Sequence, residues 1–234
     1  MEYLYNQITN VFSLERLENY GKLDNADKET VLARYLWNIA ISQSLYNLLH
    51  IFEIILRNKI DRALISAVGQ EDWYNKITFD TYTEDMLNNA LEKLAAKNKQ
   101  PDNGRLIAEL NFGFWTSLFN KSFANCKFQA VILKKTFSNY PASQRTHKFL
   151  YAKLEKMRML RNRISHYERI IHWKDLSAQH DLLLEMIKAI DVNAYAIAFE
   201  TDTFYDIYNS GIAPWKDKVK NTADKLKSAS CAEK

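Results

Sequence analysis

Residues 45–56 read LYNLLHIFEIIL, the most apolar region of the chain. Asn47, His50 and Glu53 interrupt it, so it falls short of the roughly 20 consecutive apolar residues that span a bilayer. Around it the pattern is that of a helix. Leu32, Tyr35, Leu36, Ile39, Tyr46, Leu49, Leu56, Ile60 and Leu64 recur at spacings near three and four. Neither Pro nor Gly breaks the run between residues 27 and 67, and Gly69 follows it. One very long helix is therefore predicted, with its cap supplied from Asp24 to Asp27.

The rest of the chain agrees with a helical class. Of 234 residues, 47% are hydrophobic, enough for a real core, whereas only 5 are Gly and 3 are Pro. A chain rich in strands would spend more residues on turns. Ser13 is placed to cap a short helix ending near Gly21. A helix beginning at Thr81 or Thr83 runs to about Lys97, and KNKQPDNG (97–104) is a loop. Asp102 caps RLIAELNFGFWTSLFN (105–120), with a bend expected at Gly113, where a missing side chain admits another backbone. Residues 128–137 form a short helix. Pro141 and Ser143 precede the next one, and Asp175 caps a last long helix from about Leu176 to Phe199. After Pro214 a Lys-rich tail is expected to fray and become disordered. No linker divides the chain, so residues 1–212 are expected to form one all-α domain and 213–234 a tail.

Cys126 and Cys231 fit no metal spacing and suggest thiols in a reducing compartment. The start MEYLYNQITNVF has neither a basic segment nor an unbroken apolar run, so no signal peptide is predicted. A cytoplasmic protein with no membrane contact is the expectation. Net charge is +4, but residues 145–174 hold nine Lys or Arg against Glu155 and Glu168, a local balance of +7. Such a patch suits a polyanion such as RNA, although a solvated helix face carries the same signature.

Within that patch lies MLRNRISHYERI (159–170). At about 100° per residue, Leu150, Met157, Leu160, Ile164, Tyr167 and Ile171 make one apolar stripe. Asn162 and His166 then face away from it as i, i+4 neighbours, flanked by Arg158 and Arg169. Arg161 sits at the edge of the core. The plain alternative is an exposed histidine with no role. The chemical alternative is a site: Asn162 holds one imidazole nitrogen, the other exchanges a proton, and Arg161 turns its fork to a phosphate. Those groups suit RNA cleavage without a metal. A base takes the 2′-hydroxyl proton, an acid protonates the leaving 5′-oxygen, and a cation stabilises the phosphoryl charge. Two copies of the helix in a dimer would supply two histidines. Arg158, Arg163 and Arg169 would then contact the RNA.

Three stretches resemble one family. RNRISHYERI fits the Arg-x-x-x-x-His signature of the HEPN ribonuclease superfamily, with a polar residue after the arginine. LHIFEIILRNKI resembles the Glu-x-x-x-Arg-Asn end of an early long helix in Abi-like (abortive infection) proteins, and ELNFGFWTSLFN their aromatic segment. Together they span most of residues 13–175. The family often has a second histidine after the first, and here Tyr167 stands in its place. The resemblance implies an all-α HEPN-like bundle with extra N-terminal helices, homodimerisation and RNase activity with no cofactor or metal. It implies catalytic roles for Arg161 and His166, with Asn162 assisting. It also implies a toxin-like role in phage defence, with an antitoxin or phage-derived trigger as partner.

Other candidates are weaker. Glu53 and Arg57, spaced i, i+4, are expected to pair structurally, or Glu53 orients Arg161 across the bundle. Phe112, Phe114 and Trp115 are expected in the core rather than as a base-stacking platform. His166, His172 and His180 lack metal-ligand spacing, and no glycines cluster into a phosphate loop. From another class, a non-catalytic RNA-binding or regulatory module would use the same basic face.

Overall fold

Helices account for the regular structure, and no strand occurs among the described residues. The protein is all-α, as its composition and spacing predict. The structure is a computed structural model that describes residues 1–22, 24–99, 102–123 and 126–232, with the side chains of 229–232 excepted. The helices are α1 (Glu2–Phe12), α2 (Leu14–Glu18), α3 (Lys28–Val68), α4 (Thr81–Ala96), α5 (Asn103–Glu109) and α6 (Phe112–Ser117). They continue with α7 (Gln129–Thr136), α8 (His147–Ser165), α9 (Leu176–Ile190), α10 (Val192–Thr201), α11 (Phe204–Ser210) and α12 (Ala213–Ala232).

The chain divides into two compact units, each built from separated segments. The first comprises Met1–Tyr46, Arg163–Leu176 and Asp202–Lys234, and the second Asn47–Asn162 and Ser177–Thr201. Two of the boundaries fall inside α3 and α8, which explains why no linker composition marks them.

In the first unit, Ser13 accepts a hydrogen bond from the Arg16 amide and starts α2, and Asp27 takes the Thr30 amide at 2.7 Å to start α3. The core gathers Leu4, Tyr5, Leu17, Tyr20, Val31, Leu32 and Ala33 with Val219 and Ala223 of α12. The Lys-rich segment after Pro214 is thus a packed helix rather than a frayed one, because Val219 and Ala223, at i and i+4, give it a buried face. The expected disorder at the last two residues, 233–234, lies outside the described residues.

In the second unit, α3 buries Leu48, Leu49, Phe52, Leu56, Ile60 and Leu64. Burial on several sides of α3 defeats a single-stripe description. Ile39 and Tyr46, expected on the stripe, are 39% and 57% exposed, whereas Ile41 and Leu45 are fully buried. By length and composition α3 could cross a membrane, but 44% of its most apolar window is buried within the protein. Phe112, Phe114 and Trp115 are core residues as expected; Phe114 packs edge-on to Phe79 and Trp115, and Phe112 to Phe52. Buried Asp61 accepts from Trp73 Nε1 at 2.8 Å and from Asn103 Nδ2 at 3.1 Å, tying α3 to α5.

Two predicted helices are broken by polar residues. Leu110 adopts an extended conformation and Asn111 caps a new helix by accepting the Phe114 amide, so the break precedes Gly113. A Cβ on Gly113 would come within 3.0 Å of Asn111 Oδ1 and 3.5 Å of Met86 Sδ. Its close neighbours are therefore side chains and not a backbone. Likewise Asp191 takes the amides of Asn193 and Ala194 at 2.9 and 3.2 Å, dividing the predicted 176–199 helix into α9 and α10.

Candidate functional site

Helix α8 carries the sequence candidates. The Thr146 hydroxyl receives the Phe149 amide at 3.3 Å and starts it. Leu150, Leu154, Met157, Leu160 and Ile164 are its buried face. Leu56 and Ile60 in LRNKI are buried in the same i, i+4 relation as Leu160 and Ile164 in LRNRI. These two similar stretches thus share a packing register.

The end of α8 lies in the first unit. The Tyr167 amide bonds to the Ile164 carbonyl at 3.0 Å, and the Glu168 amide reaches back to the Arg163 carbonyl at 2.9 Å. Tyr167 has φ 57°. This pair of bonds around a left-handed residue is a Schellman motif, with tyrosine where glycine is usual. An Arg163–Glu168 ion pair spans the positions normally joined by an apolar contact. His166 is the residue at the helix terminus, and its side chain is exposed.

The helical projection therefore stops at Ser165. Tyr167, expected to face the core, is 78% exposed, and Ile170 rather than Ile171 is fully buried. Asn38 of α3 fixes the chain beyond the turn. Its Oδ1 accepts from the amides of Ile170 and Ile171 at 2.8 and 3.3 Å, and its Nδ2 donates to the Glu168 carbonyl at 3.2 Å. Asn38 is 4% exposed. Three backbone groups would lose their partner without it.

Arg161 and Asn162 belong to the second unit, and both are half-buried. Arg161 Nε lies 3.5 Å from Glu53 Oε2. Glu53 thus faces Arg161, and among the described residues it forms no ion pair with Arg57. Arg57 Nε is buried without a hydrogen-bond partner. Asn162 and His166 fall on either side of the boundary between the units.

The arginines expected to contact RNA have protein partners. Arg158 places Nε and Nη2 on the two Glu155 oxygens at 2.9 and 2.7 Å. That fork neutralises Arg158, and its guanidinium is held above its ordinary value chiefly by the Glu155 hydrogen bond. Arg163 pairs with Glu168. Arg169 donates to the Asn19 carbonyl and lies 5.9 Å from the Tyr20 ring centroid. Among the described residues no group of three or more His, Cys, Asp or Glu could hold a metal ion.

Sequence reasoning passed over Asn38, Glu155 as a partner of Arg158, and Asn111 and Asp191 as helix starts. The signal for Asn38 was present: it is a lone amide in the apolar run YLWNIAI (35–41). No protein-family model, curated protein or solved structure matches the chain.

Proposed function

We propose that this protein is a metal-independent endoribonuclease of the HEPN type, acting as a toxin-like effector in abortive infection. The reading rests on the resemblance of three stretches. The observation that carries it furthest is the exposed His166 closing α8, five residues after an arginine set against Glu53. In this reading Arg161 engages the phosphoryl oxygens, and Glu53 holds its guanidinium in place. His166 exchanges a proton with the 2′-hydroxyl or the leaving 5′-oxygen, and Asn162 orients the ring. Attack by the 2′-oxygen on the adjacent phosphorus forms one P–O bond and breaks the bond to the 5′-oxygen. The products are a 2′,3′-cyclic phosphate and a 5′-hydroxyl. A homodimer would supply a second histidine, so that acid and base are separate groups. The partners are RNA, a second copy of the chain and an antitoxin or phage-derived trigger; the compartment is the cytoplasm.

The pairing of Arg158, Arg161 and Arg163 with carboxylates favours a second reading, in which the basic helix is a scaffold or RNA-binding module without catalysis. End-labelled RNA incubated with EDTA separates the two. Cleavage by the wild type but not by His166→Ala, leaving cyclic phosphate ends, is expected. Gel retardation by both proteins without cutting would transfer the assignment to the binding module.

A further inference from the structure

A cleft of about 460 Å³ lies wholly within the first unit. Its volume is in the range of small-molecule sites. Arg16, Arg163, Arg169 and His172 line it, with the exposed Tyr167 on its wall and Tyr20 beneath Arg169. Two carboxylates also line it: Glu168, engaged by Arg163, and the exposed Glu15.

The arginines differ in how they are held. Arg16 Nη2 donates to the Tyr167 carbonyl at 2.7 Å, and Arg169 donates to the Asn19 carbonyl. Neither forms an ion pair with a carboxylate among the described residues. A carbonyl fixes a guanidinium without cancelling its charge, and each of these two retains further N–H donors. Two oriented, uncancelled forks from separate segments are the geometry that receives phosphate oxygens. Burial, and to a lesser extent the charges of Arg169 and Arg163, hold His172 below its ordinary value. A tyrosine ring 78% exposed beside such forks offers a face on which a base can stack.

We propose that this cleft binds a nucleotide, its phosphate on Arg16 and Arg169 and its base against Tyr167. Arg161, Asn162 and His166, the residues assigned to the proton transfer and the cut phosphate, are not among those that line it. That its occupant is a nucleotide of the RNA strand, one flanking the cleavage point, rests on the ribonuclease reading. The same chemistry would also receive a free mononucleotide.

The test uses the full chain and a fluorescent single-stranded DNA octamer, which lacks the 2′-hydroxyl and cannot be cut. Anisotropy is followed across a salt series for wild type, Arg16→Gln, Arg169→Gln and Tyr167→Ala, with the exposed Arg62→Gln of the second unit as a charge control. Each cleft arginine variant is expected to bind about tenfold more weakly or worse, and to flatten the log K against log salt slope by about 0.7. Tyr167→Ala is expected to weaken binding at least about fivefold with the slope unchanged. Cleft variants within twofold of Arg62→Gln would overturn the proposal. Should a glutamine variant fail to melt cooperatively, Arg16→Lys and Arg169→Lys replace it. They are expected to keep the slope and lose affinity, and wild-type affinity in both would overturn the site.

Competition with AMP identifies the source. Displacement of the octamer by AMP, abolished in the arginine variants, means a free nucleotide suffices; displacement by oligonucleotide alone means a strand. The same proteins assayed on RNA keep the two proposals separate. Loss of binding in the variants with no cutting by wild type sustains the cleft and sinks the ribonuclease. Cutting by wild type, with cleft variants that bind like the control, does the reverse.

Discussion

Tyr167 holds a left-handed backbone conformation that costs an L side chain roughly 1–2 kcal/mol. Hydrogen bonds to Ile164 and Arg163 fix it there. Tyr167→Gly is expected to keep the turn and raise stability by up to about 1 kcal/mol, as the strain is released and partly offset by unfolded-state entropy. Urea midpoints with an unchanged m-value measure this; a lower midpoint would mean the ring contributes more than the strain costs. Asn38 works in the opposite sense. Asn38→Ala leaves three backbone groups around 168–171 without their partner and is expected to cost about 2–4 kcal/mol. Chemical denaturation checks it, and a loss under 1 kcal/mol would show that water replaces the amide. The site was only partly legible at this scale. Arg161, Asn162 and His166 stood out as polar groups on an amphipathic pattern. The positive φ of Tyr167 did not, because helix termination here depends on backbone bonds and an ion pair rather than on a glycine.

At the scale of elements, α3 and α8 were legible because no Pro or Gly interrupts either run, although α3 buries more than the one predicted face. The breaks at Leu110 and Asp191 were not, because Asn111 and Asp191 look like tolerable polar positions in a continuous helix. Only the backbone reveals that each side chain has turned to accept amides. Asp191→Ala removes the cap of α10 and the Lys59 ion pair, and is expected to cost about 1 kcal/mol at neutral pH. The Ala194 amide, then Lys59, hold the Asp191 carboxyl below its ordinary value of 3.8. A depressed carboxyl contributes stability that is fully present above 3.8 and lost as pH falls through the folded value. The gap between wild type and variant should therefore close on acidification below pH 3.8. Melts at neutral pH and in acid would show it, and a gap independent of pH would assign the cost to something other than the charge.

At the scale of the whole molecule, the fold class was legible and the division was not. Boundaries are read in a sequence from linkers, and two of those between these units lie inside α3 and α8. The ribonuclease reading has a consequence at this scale too, since Glu53 of α3 and Arg161 of α8 lie more than a hundred residues apart in sequence. Glu53→Gln is expected to lower kcat about tenfold with KM nearly unchanged, because Arg161 loses the carboxylate that positions it while its charge remains for binding. Arg161→Lys should likewise bind RNA and cut poorly. A Glu53→Gln enzyme with wild-type kcat would confine that ion pair to stability.

The first unit buries Val219 and Ala223 of α12 beside Leu4, Leu17 and Val31. A ribosome must therefore synthesise α12 before the segment bearing His166 can settle on its complete core. Domains generally fold as they emerge during synthesis, but a unit assembled from segments this far apart cannot do so until the last of them is made. Until α12 is made, the core around Leu4, Leu17 and Val31 lacks Val219 and Ala223. A premature stop before α12 would leave that core open on the side these two residues cover.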